Sequence, residues 1–190
     1  MQVGEEKRMD GRRTLAQYFE HGLTPEAFET LLTEDQCKLH RHHLRRAEID
    51  EAAIEALRAA GELRVLIITE PWCGDSLAIF PIVVTLFGRA GHPVRVVRRD
   101  EHPELIDRYL TRGGRAIPIV VVLDERFAEV VRWGPRPAPA QAIVEDQREA
   151  VKKGRVDRAE VHKQVRAFYG ADRGRTIVKE LAGSLRRPSK

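Results

Sequence analysis

The chain has 190 residues, of which 42% are hydrophobic and 33% charged, and its net charge is +4. This composition is too apolar for a disordered chain, and no apolar run approaches the ~18 residues that a membrane-spanning helix needs, so no membrane partner is expected. The basic residues are interspersed with acids, and no basic segment carries interleaved aromatics, so no nucleic-acid partner is expected either.

The N-terminal segment and the cysteine content indicate the compartment. Residues 1–13 are charged and are followed by no apolar stretch typical of a secretion signal. Two cysteines, Cys37 and Cys73, are too few for a disulfide scaffold. We therefore expect a cytoplasmic protein whose thiols are reduced.

The first predicted elements are helices, between residues 13 and 60. Thr24 followed by Pro25 is typical of a helix start, because threonine caps free N–H groups and proline fits the first helical position. A further helix is predicted from 47 to 60, where apolar residues recur at helical spacing, and Gly61 ends it.

Four strands follow, and helices separate most of them. The β-branched run at 63–69 is typical of a strand buried on both faces, and the segment at 127–133 alternates like an edge strand. The other predicted strands are 94–99 and 117–123, and the predicted helical segments are 77–87, 100–109, 138–153, 158–169 and 176–181. A strand–helix–strand order predicts a parallel crossover, and the close spacing of the last two strands predicts an antiparallel hairpin. The chain is therefore expected to be α/β, with a small mixed sheet and helices on both faces.

Cys73 is the first candidate for chemistry. It follows the predicted strand at 63–69 and begins the next helix, where free N–H groups and the helix dipole favour a thiolate. Pro71 and Gly74 flank it in a tight turn, Trp72 precedes it, and Ser76 follows one helical turn on. The alternative is a small buried apolar residue, which is a common role of cysteine.

These residues resemble a known family. Trp72-Cys73-Gly74-Asp75-Ser76, with Pro81 eight residues after the cysteine, resembles the active-site helix of thioredoxin, whose motif is W-C-G-P-C followed by a kinking proline. Ala116-Ile117-Pro118 is similar to the thioredoxin cis-proline loop. The sequence is most similar to a bacterial thioredoxin-like branch with the signatures E-P-W-C-G-D-S, G-G-R-A-I-P and W-G-P-R-P, which stand here at 70–76, 113–118 and 133–137.

The resemblance implies a fold and a site. It implies a thioredoxin-like domain at 48–153 with a central four-stranded mixed sheet, an N-terminal helical extension at 1–47 packed on it, and a C-terminal helical extension at 154–190. It also implies a cis peptide bond before Pro118. Cys73 as nucleophile and Ser76 as its hydrogen-bond partner would be catalytic. The implied substrate-binding residues are Trp72, Gly74, Asp75, Arg115, Ile117, Pro118, Gly134 and Arg136.

Three departures from thioredoxin point to a monothiol mechanism. Ser76 replaces the second cysteine, Asp75 replaces the motif proline and opposes thiolate formation, and Ile67 stands where thioredoxin has a buried acid. Cys73 would then attack mixed disulfides between proteins and small thiols, and a free small thiol would regenerate it. The expected partners are oxidised or thiolated proteins and small thiols. No cofactor is expected beyond a low-molecular-weight thiol as co-substrate.

Arginines near the site suit the carboxylates of a small thiol such as glutathione. Arg112, Arg115 and Arg136 are the candidates, and the alternative is that they are ordinary solvated side chains. Two other functions remain open for the chain. One is a non-catalytic binding module with the same fold. The other is an iron–sulfur cluster carrier like the monothiol glutaredoxins, which share the pattern C-G-x-S.

A second cluster of chemistry-bearing residues comprises Cys37, His40, His42 and His43. On a helix Cys37 and His40 share a face, but zinc usually takes its ligands from two segments. Arginines interleave with these residues, so the pattern predicts a solvated helix face and no metal site. No nucleotide-binding, zinc-protease or serine-hydrolase motif is present.

Overall fold

The computed structural model describes residues 13–185, and a four-stranded sheet forms its centre. The strands are β1 (Arg64–Thr69), β2 (Val94–Arg98), β3 (Ile119–Leu123) and β4 (Glu129–Trp133), in the spatial order β2-β1-β3-β4. β1 is parallel to β2 and antiparallel to β3, and β3 is antiparallel to β4. The predicted mixed sheet, its parallel crossover and its final hairpin are confirmed.

Ten helices surround the sheet within the described range. They are α1 (Leu15–His21), α2 (Pro25–Glu29), α3 (Glu34–Arg46), α4 (Glu51–Ala59), α5 (Gly74–Arg89), α6 (Pro103–Ile106), α7 (Ala138–Asp146), α8 (Arg148–Lys152), α9 (Arg158–Asp172) and α10 (Arg175–Leu185). None of them, over residues 13–185, is long and apolar enough to cross a bilayer.

The core lies on both faces of the sheet because β1 alternates between them. Val65 and Ile67 join one apolar cluster, which α4, α5 and α10 complete, while Leu66 and Ile68 join the other, which α1 and α6 complete. All four side chains have at most 1% of their surface exposed. A strand covered on both faces needs an unbroken apolar run, which is what β1 has.

Several predicted boundaries were wrong for local reasons. The helix predicted from 47 begins at Glu51, because the carboxylate of Asp50 accepts the Ala52 N–H and caps it. The strand predicted from 117 begins at Ile119, because Pro118 has no N–H for the ladder. β4 begins at Glu129, since Phe127 has a φ of +60° and belongs to the turn.

The helical ends of the chain also differ from the prediction. The helix predicted at 138–153 is divided at Gln147 into α7 and α8, and the one predicted at 176–181 extends over 175–185. α10 packs against α4, α5 and β4, and α9 packs against α7. These contacts bring the C-terminal helices onto the side of the sheet that carries α5.

Candidate active site

Cys73 is the N-cap residue of α5, directly after the turn that follows β1. The residue is 6% exposed, and its thiol donates to the carbonyl oxygen of Ile117 over 3.4 Å. The Ile117–Pro118 peptide bond is cis, as the resemblance implied. The thiol therefore lies between the first turn of α5 and the loop before β3.

The surroundings of Cys73 act on its pKa in opposite directions. Burial raises the pKa of the thiol most, and the carboxylate of Asp75 raises it further. The hydroxyl of Ser76 and the free N–H groups of Ser76 and Asp75 lower it, as expected at a helix N-terminus. Burial prevails, and the net pKa lies above the ordinary value of 9.0, so the protonated thiol is the resting form at neutral pH.

Ser76 lies one turn below Cys73 and is 2% exposed. Its hydroxyl forms a hydrogen bond with the hydroxyl of Thr69, the last residue of β1, which is fully buried. The two hydroxyls satisfy each other in an otherwise apolar layer, and Ser76 still lowers the pKa of the thiol. Ser76 therefore links the first turn of α5 to the end of β1.

Asp75 is held by two groups from other parts of the chain. A terminal guanidinium nitrogen of Arg136 lies 2.5 Å from one carboxylate oxygen, and the hydroxyl of Tyr169 donates to the other over 2.9 Å. Arg136 comes from the loop after β4 and Tyr169 from α9. Burial raises the pKa of Tyr169 above its ordinary value, and the carboxylate of Asp75 raises it further.

The turn before Cys73 is fixed by the buried carboxylate of Glu70, which is not among the predicted site residues. Glu70 is 0% exposed; it accepts two hydrogen bonds from the guanidinium of Arg98, both 3.2 Å, and one of 2.8 Å from the N–H of Asp100. Trp72 beside it is 55% exposed, and the guanidinium of Arg99 lies 4.6 Å from its ring centre. The tryptophan is thus an exposed wall of the site.

A groove of about 440 Å³ opens above Cys73, and we call it the Cys73 groove. Its lining residues are Trp72, Cys73, Gly74, Asp75, Arg99, Ala116, Ile117, Arg136, His162, Val165, Arg166 and Tyr169. Six of these twelve were predicted as site residues from the sequence; Arg99, Ala116 and the four residues of α9 were not. The only sequence signal for α9 was the spacing of Val161, Val165 and Tyr169 at four-residue intervals, which marks a buried stripe.

The other predicted residues lie outside the lining. Arg115 forms two hydrogen bonds with the carboxylate of Asp107, and Arg112 does the same with Glu145. Pro118 and Gly134 lie against each other: a Cβ on Gly134 would be 2.3 Å from the carbonyl oxygen of Pro118. Only glycine allows the loop after β4 to approach the proline loop so closely.

The prediction of a solvated histidine face on α3 was wrong at His40. This ring is 4% exposed and stacks on Phe80 of α5, with the ring centres 5.4 Å apart. Burial lowers the pKa of His40, and burial lowers that of His43 to about 4. Over residues 13–185 no three His, Cys, Asp or Glu side chains are grouped as metal ligands.

Comparison with known proteins gives one family and a fold. A family model described as thioredoxin matches residues 22–151. The crystal structure of a protein of unknown function from Pseudomonas aeruginosa superposes with a TM-score of 0.70 and 18% identity, over 92% of this chain and 98% of that one. An HIV epitope scaffold superposes with a TM-score of 0.69 and 17% identity, over 93% and 100%. No curated protein matches the chain.

Proposed function

The chain belongs to the thioredoxin family, and from that premise we propose that it carries out thiol–disulfide exchange through Cys73 alone. The observation that carries the proposal is the position of the Cys73 thiol. Cys73 is the N-cap residue of α5, and it lines the Cys73 groove. Its thiol contacts the carbonyl of Ile117, directly before the cis proline. A substrate disulfide entering this groove meets one sulfur atom.

The reaction that fits a single cysteine has two steps. The thiolate of Cys73 attacks the small-thiol sulfur of a protein mixed disulfide, the protein thiolate leaves and takes up a proton, and the small thiol remains bound to Cys73 as a disulfide. A second molecule of the small thiol, as thiolate, attacks this disulfide and regenerates Cys73. The protein sulfur leaves as a thiol, and the small thiol of the mixed disulfide leaves joined to the free small thiol as their disulfide, so one free small thiol is consumed per turnover.

The neighbours of Cys73 support a mechanism in which Cys73 is the nucleophile and a free small thiol regenerates it. Ser76 stands at the position of the second cysteine of the thioredoxin motif, and its hydroxyl cannot form a disulfide, so the proposed release of the small thiol uses an external thiol. The ion pair with Arg136 offsets the negative charge of Asp75, which otherwise opposes the Cys73 thiolate. The raised pKa of Cys73 makes exchange slow at neutral pH and faster in alkaline solution.

A second candidate function is a binding module that has the fold but not the chemistry. The 6% exposure and the raised pKa of Cys73 favour it, because an inert buried thiol has both properties. In this case the Cys73 groove binds its ligand without forming a covalent bond. The two functions differ in whether a small thiol is ever transferred to Cys73.

The deciding experiment is thiol transfer measured by mass spectrometry. The Cys37→Ser protein is mixed with a peptide carrying a glutathione mixed disulfide, at several pH values between 6 and 10, and the glutathione adduct on Cys73 is quantified. Exchange predicts an adduct that forms faster as pH rises and disappears when glutathione is added. The Cys37→Ser/Cys73→Ser protein is the control, and an adduct that never forms on Cys73 would leave the binding module as the function.

A further inference from the structure

A second cavity, of about 550 Å³, lies between α7, α8 and α9. We call it the valine groove; its lining residues are Val144, Arg148, Val151, Lys152, Arg158, Val161 and His162. All of them come from the part of the chain after the sheet. The proposed exchange chemistry uses none of them.

The valine groove combines an apolar floor with a basic rim. All three valines line the groove; Val144 and Val151 are half-buried and provide most of its solvent-accessible apolar surface, while Val161 is 3% exposed. The charged side chains that line it are all basic, and no carboxylate is among the lining residues. Such a surface fits a ligand that has both apolar and acidic groups.

The basic side chains of the rim lack partners of opposite charge. Arg148, Lys152 and Arg158 form no ion pair with any other residue in the 13–185 range. The nearby carboxylate of Glu145 is taken by Arg112, with a shortest contact of 2.6 Å. The positive charge of the rim therefore remains available to an anionic ligand.

The two grooves adjoin each other at His162, which lines both. Arg166, one helical turn further along α9, lines the Cys73 groove and forms no ion pair with another described residue. From Arg158 to Tyr169 the axis of α9 extends about 16 Å, which corresponds to about five residues of extended chain. A ligand that spans both grooves is therefore longer than a small thiol.

We infer that the valine groove binds an acidic segment of a protein partner, which runs along α9 and places a neighbouring cysteine at Cys73. Apolar side chains of the segment contact the three valines, and its carboxylates pair with the rim of Arg148, Lys152 and Arg158. That this partner is a thiolated substrate rests on the proposed function. Binding of the segment itself requires no reaction at Cys73.

The test measures binding without exchange. Fluorescence anisotropy is recorded with the full-length Cys73→Ser protein and three labelled ten-residue peptides that share a Leu-Val centre. Their flanking residues are Asp and Glu in the first, Asn and Gln in the second, and Lys in the third. A single-stranded oligonucleotide with the charge of the acidic peptide is the fourth probe.

The acidic peptide is expected to bind about tenfold or more tightly than the neutral one, and added salt weakens it. The double variant Arg148→Glu/Lys152→Glu should lose about tenfold in affinity for it. The control Lys163→Glu/Lys179→Glu makes the same charge change on α9 and α10 outside both grooves, and should lose less than about twofold. Equal losses in both double variants, or tighter binding of the oligonucleotide, would overturn the inference.

A parallel exchange assay separates this inference from the proposed function. The Arg148→Glu/Lys152→Glu protein with Cys73 intact is given a small neutral disulfide, whose reaction should be unchanged because it needs only the Cys73 groove. Failure of the wild-type protein in this assay counts against exchange but not against the acidic segment. Normal exchange with no preference for the acidic peptide counts against the segment alone.

Discussion

The guanidinium of Arg136 lies 2.5 Å from the carboxylate of Asp75, which ties the loop after β4 to the first turn of α5. The two side chains are 17% and 14% exposed, so the pair is largely withdrawn from water. A cation without its partner in such a place costs several kcal/mol. The pair therefore holds together two of the segments that form the Cys73 groove, and it balances the acid beside the thiol.

Replacing Asp75 with Asn should lower the pKa of Cys73. The carboxylate raises this pKa, and its removal also leaves the Arg136 cation uncompensated in the groove that the thiol lines, so both changes favour the thiolate. The rate of iodoacetamide alkylation at Cys73, followed from pH 6 to 10 in a Cys37→Ser background, should reach its half-maximum at lower pH. A half-maximum that stays in place or moves up would contradict this account of the site.

The same substitution should be costly for folding. Asp75→Asn leaves a largely buried guanidinium unpaired, and we expect a loss of about 3 kcal/mol in the free energy of unfolding, measured in urea. Tyr169→Phe is the matched control, because it removes one hydrogen bond to Asp75 and no charge, at a cost of about 1 kcal/mol. Equal losses in the two variants would show that the ion pair contributes nothing beyond the hydrogen bond.

A second thiol at position 76 should convert the proposed single-cysteine mechanism into a two-cysteine one. Ser76 lies three residues after Cys73, in the first turn of α5, which is the spacing of the two cysteines in the W-C-G-P-C motif. Ser76→Cys is expected to form a disulfide with Cys73 under oxidising conditions, seen as the loss of two hydrogens in the intact mass. It should also release a glutathione adduct from Cys73 without added thiol.

Ser76→Ala is the matched control for that experiment. It removes the hydroxyl that lowers the pKa of Cys73, so alkylation should become slower at a given pH. It also leaves the buried hydroxyl of Thr69 without its partner, at a cost of about 1 kcal/mol in unfolding. A glutathione adduct as short-lived in Ser76→Ala as in Ser76→Cys would mean that the new thiol is not the resolving group.

The sheet and the Cys73 turn were predictable because their signals are local. The β-branched run of β1 and the short hairpin spacing of β3 and β4 depend on neighbouring residues only. The residues around Cys73 stand in a seven-residue motif, and the cis peptide bond before Pro118 was predicted from the family resemblance. Each of these features can be recognised without knowing what packs against it.

The remainder of the site depends on contacts between distant segments. Tyr169 meets Asp75 across a separation of 94 residues, and no pattern in either segment specifies that meeting. Glu70 is a charged residue in a turn, which is normally solvated, and its burial follows only from the pairing of β1 with β2, which brings Arg98 beside it. The burial of His40 also depends on a distant segment, because it results from stacking on Phe80 of α5, which the periodicity of α3 does not predict.

Gly134→Ala should damage both stability and the site. Gly134 has a φ of +117°, and an added Cβ would be 2.3 Å from the carbonyl oxygen of Pro118. The loops must separate, and we expect a loss of about 2 kcal/mol or more in the free energy of unfolding. The control is Gly88→Ala on α5, where a Cβ meets nothing within 4 Å, and which should stabilise the protein by ~0.5–1 kcal/mol. Similar effects of the two substitutions would refute the close approach of the loops.

The protein should lose stability in alkaline solution, and Tyr169 should account for part of the loss. Its pKa lies above the ordinary 10.0 because the hydroxyl is buried and donates to Asp75, so in the unfolded chain it ionises first. The stabilisation is present in full below pH 10 and is lost as pH rises toward the folded pKa. The pKa of Tyr18 is raised to about 12, and that of Cys73 is raised from 9.0, so both act in the same direction.

The test compares the pH dependence of unfolding and not its value at one pH, because Tyr169→Phe also loses a hydrogen bond at neutral pH. The free energy of unfolding in urea is measured from pH 8 to 11 for the wild type, Tyr169→Phe and Tyr18→Phe. The wild-type values should fall most steeply above pH 10, and each variant should fall less steeply because one raised phenol is gone. If all three curves are parallel, the hydroxyl of Tyr169 is not held protonated by its burial against Asp75, and the linkage between α9 and the first turn of α5 is weaker than its geometry implies.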